Sequence, residues 1–484
     1  MEQEKIFERL LQILNRYYHE RETGNFVTYL DPEVLRRELH FEDSAGNQDW
    51  EEIFSWVEQY LAHAVKTSHP GFVNRMWAGA NLPSVIGEII TAITNTSACT
   101  FETAPVSTLM EKYMLRTMLD LVGFTNGSGQ MTTGSSNANM IAMMAARNRT
   151  DPVIKQSGLF RQRELFAFVN QDAHYSMDRA ANILGLGTDH LIKIPLDDHG
   201  RMHVPTLQKS MEEIAAAGGT PFFVGATAGT TVRGSFDLLE PLLALRQRHG
   251  FWLHVDGAWG GAVIFSDRLR SRFLPHLNRA DSFTLDFHKM LGTALMCNVL
   301  LFNNELSLFR EVCSAGDESY IFREGPDHEV RDLGTLSLQC GRRVDSLKWF
   351  LDWRFYGQAG LAHRVEHYLE LCRYAEEWIR RSDVLEMVVP RESFNICFRF
   401  RTPQGWPSGS LNCELRDRMH RRGVTLVGTG YVNGEVTLRL LITNLNVDKP
   451  ELDSFFQTVI ATGRELLAEG RTVPSTQDRY AEHK

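Results

Sequence analysis

The sequence predicts an α/β protein: a large domain on a mostly parallel sheet, followed by a small C-terminal α+β domain. Three observations carry this. Between about residues 130 and 305, short apolar runs alternate with helical stretches, the pattern of parallel strands joined by crossover helices. Beyond Cys340 long helical stretches give way to short strands and an Asn-Gly hairpin signal at Asn433-Gly434. At 484 residues the chain is too long for one ordinary domain.

Residues 1–66 read as a helical segment. Ile6, Leu10, Ile13 and Leu14 fall at helical spacing, and Phe54, Trp56, Val57, Tyr60 and Leu61 form a second apolar face. Such a segment has little core of its own and is expected to pack on another part of the fold or on a second subunit. A breaker, Glu102-Thr103-Ala104-Pro105, precedes a helix from about Val106 past Met118. Helices are then expected at 137–147, 176–184, 205–216 and 240–249, and strands at 165–169, 221–225, 252–256, 283–286 and 299–302. Gly250 follows its helix as a C-cap. Helical stretches at 344–356 and 361–381 lead to strands at 394–400, 424–427 and 436–442, and a last helix begins after Asp448. The expected division is 1–66 as the helical segment, 67–345 as the large domain, 346–470 as the small one and 471–484 as a polar tail.

Composition narrows the function. A net charge of −9 argues against nucleic acid or anionic membrane as a partner. The 7 cysteines are odd in number, scattered and without a CxxC pair, so neither a disulfide framework nor a cysteine-based metal site is suggested. The N-terminus lacks a signal-peptide core and no apolar run is long enough to span a bilayer. A reducing compartment, the cytoplasm, is expected.

Ligands of parallel sheets bind beyond the carboxyl ends of the strands. Asp256, the turn 225–231 and the approach to Lys289 are all expected at that edge. A lone lysine there more often snorkels to the surface, and a strand-end acid more often caps a loop. Together they suit a pyridine cofactor, whose ring nitrogen needs a carboxylate and whose aldehyde needs an amine. Gly257 and Ala258 are small enough to leave room for a flat ring, and His174 either caps a helix or stacks on that ring. Gly134-Ser135-Ser136-Asn137-Ala138-Asn139 opens a helix and suits a phosphate, though Ser and Asn cap many helices. Gly225-Ala226-Thr227-Ala228-Gly229 has the outline of a hydrolase elbow, but no helix follows it.

The segments HPGFVNRMWAG, TFETAPVSTLME, ILGLGTDHLIKI, ATAGTTVRGSFD, HVDGAWGG, HKMLG and LQCGRRVDSLKWFLDWR occur in this order. Together they resemble the pyridoxal-phosphate-dependent group II amino-acid decarboxylases, in the glutamate and cysteine sulfinate decarboxylase branch, over roughly residues 67–360 and more loosely to about 460. The resemblance implies an aspartate-aminotransferase-like (type I) fold and a homodimer with active sites at the interface. It implies that Lys289 holds pyridoxal 5'-phosphate as a Schiff base and that Asp256 pairs with the ring nitrogen. Ala258 and His174 would cover the two ring faces, Ser135, Ser136 and His288 would lie near the phosphate, and Thr227 near the ring oxygen. Arg439 matches the arginine that meets a substrate carboxylate, and Tyr320 the mobile-loop tyrosine that protonates the substrate carbon from the partner subunit, in a lid spanning 316–334.

The chain also departs from that pattern. Leu285-Asp286-Phe287 stands where the relatives usually have Trp-Asn-Pro, and Arg75 where they tend to have Gln. Ala98 and Cys99 replace larger residues at a pocket position, and Gly257 replaces Ala. An α-decarboxylase of an acidic amino acid (aspartate, glutamate or cysteine sulfinate) is therefore expected, Arg75 suiting a second anionic group on the substrate; alternatively Arg75 pairs with Asp286 or with an acid from the other subunit. Other readings are a decarboxylase of an aromatic or diamino acid, a decarboxylation-dependent aldehyde synthase, and a non-catalytic homologue.

Overall fold

The computed structural model describes residues 2–39, 41, 46, 48–160, 163–323, 331–404 and 407–470; the polar tail expected at 471–484 lies outside them. The chain forms two compact units. The larger comprises Ala80–Leu369 and Glu392–Phe394, the smaller Met1–Gly79, Glu370–Arg391 and Asn395–Lys484.

Strands are numbered along the chain. The first, β1 (Phe72–Val73), belongs to the smaller unit. The larger holds β2 (Ser128–Thr132), β3 (Leu165–Asn170), β4 (Leu191–Ile194), β5 (Thr220–Thr227), β6 (Trp252–Asp256), β7 (Ser282–Asp286) and β8 (Asn298–Phe302). They form one sheet in the order β2-β8-β7-β6-β5-β3-β4. The pairs from β7 through β4 are parallel, while β8 runs antiparallel to both β7 and β2. Every residue of β2, β6, β7 and β8 is buried, as expected of a sheet covered on both faces. Strand β2, Ser-Gly-Gln-Met-Thr, was not expected: it has one apolar residue and owes its conformation to the ladder with β8.

Helix Ser135–Thr150 lies against this sheet through Ala138, Ile141, Ala142 and Ala145, in a core shared with Phe223, Leu300 and Phe302. Its alanines let the helix axis approach the strands closely. That brings the helix's first turn to the carboxyl edge of the sheet, where Ser135 meets Asp286.

In the smaller unit, β9 (Leu385–Met387), β10 (Asn395–Phe400), β11 (Leu426–Val432) and β12 (Glu435–Leu441) join β1 in the order β1-β11-β12-β10-β9. The hairpin between β11 and β12 turns at Asn433 and Gly434, with φ 53° and 79°. This is the left-handed pair that an Asn-Gly turn supplies at little steric cost. Helix Lys449–Ala468 starts with a capping box between Asp448 and Glu451. The expected break between the 344–356 and 361–381 helices falls at Gly357 (φ 62°, ψ 178°), inside Asp345–Arg381.

Candidate active site

Strands β5, β6 and β7 lie side by side and parallel, so their carboxyl ends share one edge. Thr227 is in register with Asp256, and Asp256 with Thr284. Asp256 closes β6 and is 5% exposed. Its Oδ1 accepts from the Ala258 N–H at 3.0 Å and its Oδ2 from the Asn139 side-chain amide at 2.8 Å.

Asn139 is oriented from behind by a buried chain. His254 Nε2 lies 2.9 Å from Asn139 Oδ1, and His254 Nδ1 lies 2.8 Å from Ser282 Oγ, which takes the Trp252 indole N–H at 2.7 Å. Burial pushes the His254 pKa down to about 4, against the opposing pull of Asp256, so the ring is neutral at pH 7. The donors and acceptors then fix one arrangement: Nε2–H donates to the Asn139 carbonyl and Nδ1 accepts from Ser282. The Asn139 NH₂ faces Asp256 and Ser176 Oγ, the latter at 2.9 Å. This chain was missed at the sequence level. Its signal was a histidine in the middle of an apolar strand, which must find partners when buried.

Lys289 follows β7 in the turn. Its Nζ lies 3.0 Å from Asp286 Oδ2, and its side chain is 20% exposed. The flanking Phe287, Met290 and Leu291 are buried, Phe287 being stacked on Trp349, while Lys289 has a carboxylate for company. Asp286 Oδ1 accepts from the Ser135 N–H at 3.1 Å and from Asn298 Nδ2 at 2.7 Å. Burial would raise the Asp286 pKa, but the charges of Lys289 and His288 and its hydrogen bonds outweigh it and hold the carboxyl below its ordinary value. His288 is buried, with Nδ1 2.8 Å from the Cys297 carbonyl and Nε2 3.8 Å from Asp286 Oδ2. Burial lowers its pKa, with Asp286 opposing.

The other expected residues fall around these poles. His174 is half-buried, and burial lowers its pKa while Asp256, Lys289 and Asp286 all act on it. It therefore lies within electrostatic reach of both poles. Its Nδ1 accepts from the Ser176 N–H at 3.3 Å, a capping contact. Ser135 is buried and Ser136 is exposed. The Thr227 N–H donates at 2.7 Å to Asp237, a fully buried acid also held by Asn170 and Met202. Burial pushes the Asp237 pKa up to about 6. Ala258 is buried. Gly257 has a different reason to be small: a Cβ there would strike the Phe283 ring and come within 2.8 Å of the Thr284 carbonyl. It serves packing against β7.

Tyr320 stands in a turn with 84% of its surface exposed. Residues 324–330 of the expected lid lie outside the described residues. Cys99 is buried, its Sγ 3.9 Å from that of Cys340, and burial pushes its thiol up to about 11. Gly334 passes so close that a Cβ there would be 2.7 Å from Cys99 Sγ.

Arg439 and Arg75 belong to the smaller unit. Arg439 is in the central strand β12, is 8% exposed and donates to the Asn74 carbonyl at 3.1 Å. Burial lowers its pKa, and the Arg75 charge acts in the same direction. Arg75 is exposed, and the two line one cavity with Asn74, Arg416, Asp417 and Thr429.

The residues of the larger unit fit pyridoxal phosphate. An acid held by two neutral amides, an amine one strand away and a helix N-terminus already holding a carboxylate answer to its ring nitrogen, aldehyde and phosphate. Fold and site thus define a pyridoxal-phosphate enzyme of fold type I. The model of the pyridoxal-dependent decarboxylase conserved domain matches residues 32–401, and the chain belongs to that family. It is 38% identical to cysteine sulfinic acid decarboxylase of Homo sapiens, over 90% of each chain. It is 32% identical to acidic amino acid decarboxylase GADL1 of Bos taurus, over 90% of this chain and 85% of that one. The crystal structure of mouse CSAD superposes with a TM-score of 0.91 at 32% identity, covering 95% of this chain and 98% of the other. The chain is a pyridoxal-phosphate-dependent amino-acid decarboxylase.

Proposed function

We propose that this enzyme removes the α-carboxyl group of an acidic L-amino acid (aspartate, glutamate or cysteine sulfinate), giving the amine and CO₂. Within the smaller unit, Arg75, Arg416 and Arg439 outnumber Asp417 in the lining of one cavity, which supports an acidic substrate. A guanidinium suits carboxylate and sulfinate alike. The likeness to cysteine sulfinic acid decarboxylase and to an acidic amino acid decarboxylase supports the same class.

The cofactor, when bound, supplies an electron sink for the pair left behind by departing CO₂. Asp256, oriented by Asn139 and Ala258, is assigned to hold a proton on the ring nitrogen. Lys289 is assigned to the aldehyde, His174 and Ala258 to the ring faces, and Ser135, Ser136 and His288 to the phosphate. Thr227 is assigned to the ring oxygen, Arg439 to a substrate carboxylate, Arg75 and Cys99 to substrate choice. Tyr320 is assigned to return a proton to the α-carbon, which gives the amine; were the proton delivered to the cofactor instead, hydrolysis would leave the amine nitrogen on the cofactor and release an aldehyde.

The proposed assembly is a homodimer with active sites at its interface. Helix Leu82–Thr94 exposes Leu82, Ile86, Ile89, Ile90 and Ile93, and helix Pro105–Val122 exposes Val106, Leu109 and Tyr113. Apolar faces of this kind mark interaction surfaces. The proposed compartment is the cytoplasm, which suits seven free cysteines; no helix among the described residues is long and apolar enough to cross a membrane.

The test is a panel of acidic, aromatic and diamino acids scored for CO₂ and for amine. Turnover of an acidic member well above the others is expected, and preference for an aromatic or diamino acid overturns the reading.

A further inference from the structure

Asp286 holds two groups at once. Through Oδ1 it takes the N–H of Ser135, the first residue of helix Ser135–Thr150, and through Oδ2 it pairs with Lys289 Nζ. Gly134 precedes that helix at φ 103°, a conformation that lets the backbone turn its N–H toward the strand edge. Asn298 braces the carboxylate from the neighbouring strand and also reaches Ser135 Oγ at 2.9 Å. The helix amide and the lysine amine are the two groups assigned above to the cofactor's phosphate and aldehyde.

We propose that Asp286 is a built-in anionic competitor for the cofactor: it occupies the Ser135 N–H and the Lys289 amine, and pyridoxal phosphate binds only by displacing it from both. This rests on the assignment of Lys289 and Ser135 to the cofactor. Two physical effects act together. A dianionic phosphate brought to the helix N-terminus meets a carboxylate already there, and like charges at that range repel in a site shielded from water. The ion pair to Lys289 must also part. At 3% exposure a displaced Asp286 stays among buried groups instead of reaching solvent, so its charge remains in the site. Its carboxyl is held below the ordinary carboxylate value, so protonation does not remove the charge at neutral pH. The neighbouring Asp256 faces no such conflict, because its donors are the neutral amides of Asn139 and Ala258. The residue thus tunes how tightly the enzyme keeps its cofactor.

The experiment is equilibrium binding of pyridoxal phosphate, followed by visible absorbance and by dialysis, to wild type, Asp286→Asn and Asp286→Ala. A second arm uses inorganic phosphate alone, read by thermal shift. Both neutral variants are expected to bind the cofactor at least about tenfold more tightly, and phosphate is expected to stabilise them more than wild type. Asp286→Ala keeps the test decisive if Asp286→Asn does not fold. Unchanged or weaker binding in the folded variants overturns the inference. Borohydride reduction separates this from failure of the site itself. Wild type that incorporates label at Lys289, without tightening in the variants, sinks only the competitor. Wild type without label at Lys289 sinks the cofactor assignment and the competitor with it.

Discussion

Two acids close neighbouring strands of the same sheet, and their surroundings differ. Asp256, at the end of β6, is held by the amides of Asn139 and Ala258, both neutral. Asp286, at the end of β7, has the Lys289 ammonium at 3.0 Å and His288 Nε2 at 3.8 Å. A carboxylate oriented by dipoles keeps its charge available for an incoming cation, in the proposed site the protonated nitrogen of a ring. A carboxylate already paired with a cation has nothing left to offer and must be moved when that cation is needed. Burial is nearly the same for both, at 5% and 3% exposure, so the partners rather than the depth separate the roles.

The largest expected effect comes from removing the unpaired pole. Under the proposed assignment Asp256→Ala leaves the ring nitrogen without its carboxylate, and kcat should fall by about 10²–10³-fold, the scale of losing one preorganised electrostatic partner. Steady-state kinetics with saturating cofactor check this; a loss confined to KM would contradict the role. Next is the chain behind it. Asn139→Ala leaves the buried Nε2–H of His254 without its acceptor, and should lower stability by about 1–3 kcal/mol in addition to reducing kcat. Denaturant unfolding of the cofactor-free protein separates the two effects.

A third prediction sets His254 against Asp237. The folded-state pKa of His254 is depressed to about 4, from an ordinary 6.5. The unfolded chain therefore binds the extra proton first, and stability falls as pH drops from about 6.5 toward 4, by about 3 kcal/mol over the window. Asp237 works in the opposite sense. Its folded pKa of about 6 lies above the ordinary 3.8, so the folded chain takes the proton first and stability rises as pH drops through the same window. His254→Gln should flatten the acid-side loss and Asp237→Asn should steepen it. Unfolding free energies between pH 4 and 7 would show the two slopes moving apart; parallel slopes would contradict the assignment. The smallest effect is on substrate choice: Arg75→Gln should reduce the preference for acidic over neutral amino acids by about tenfold or less, since Arg75 is exposed and Arg439 remains. An unaltered preference removes Arg75 from the substrate reading.

The placement of both acids was legible before the fold was seen, and the reason is local. Trp252–Asp256 and Ser282–Asp286 are apolar runs that end in an acid, a pattern that places both charges at a strand end. Gly357 broke a helical pattern and Asn433-Gly434 made a hairpin, because in both places the backbone conformation is set by the residue itself. What stayed hidden depended on partners far away in the chain. Strand β2 carries almost no apolar signal and is a strand because β8 pairs with it. The link from Trp252 and Ser282 through His254 and Asn139 to Asp256 joins residues up to 143 positions apart (139 to 282), and no spacing rule connects them. Asp286 was visible as a departure from the family pattern, three residues before Lys289, yet its hold on Ser135 crosses 151 positions. Gly257 has a second reason that was also hidden: its smallness was tied to a ligand, and a Cβ there would strike Phe283 as well.

In the proposed site the cofactor is held at the carboxyl edge of the parallel sheet, with Lys289 as its covalent anchor and Asp256 as its charge partner. The most direct measurement is borohydride reduction of the protein loaded with pyridoxal phosphate, followed by digestion and mass mapping. The account predicts a single pyridoxyl label on Lys289, absent from Lys289→Ala. A label on another lysine, or a loaded wild type that takes no label, would contradict it.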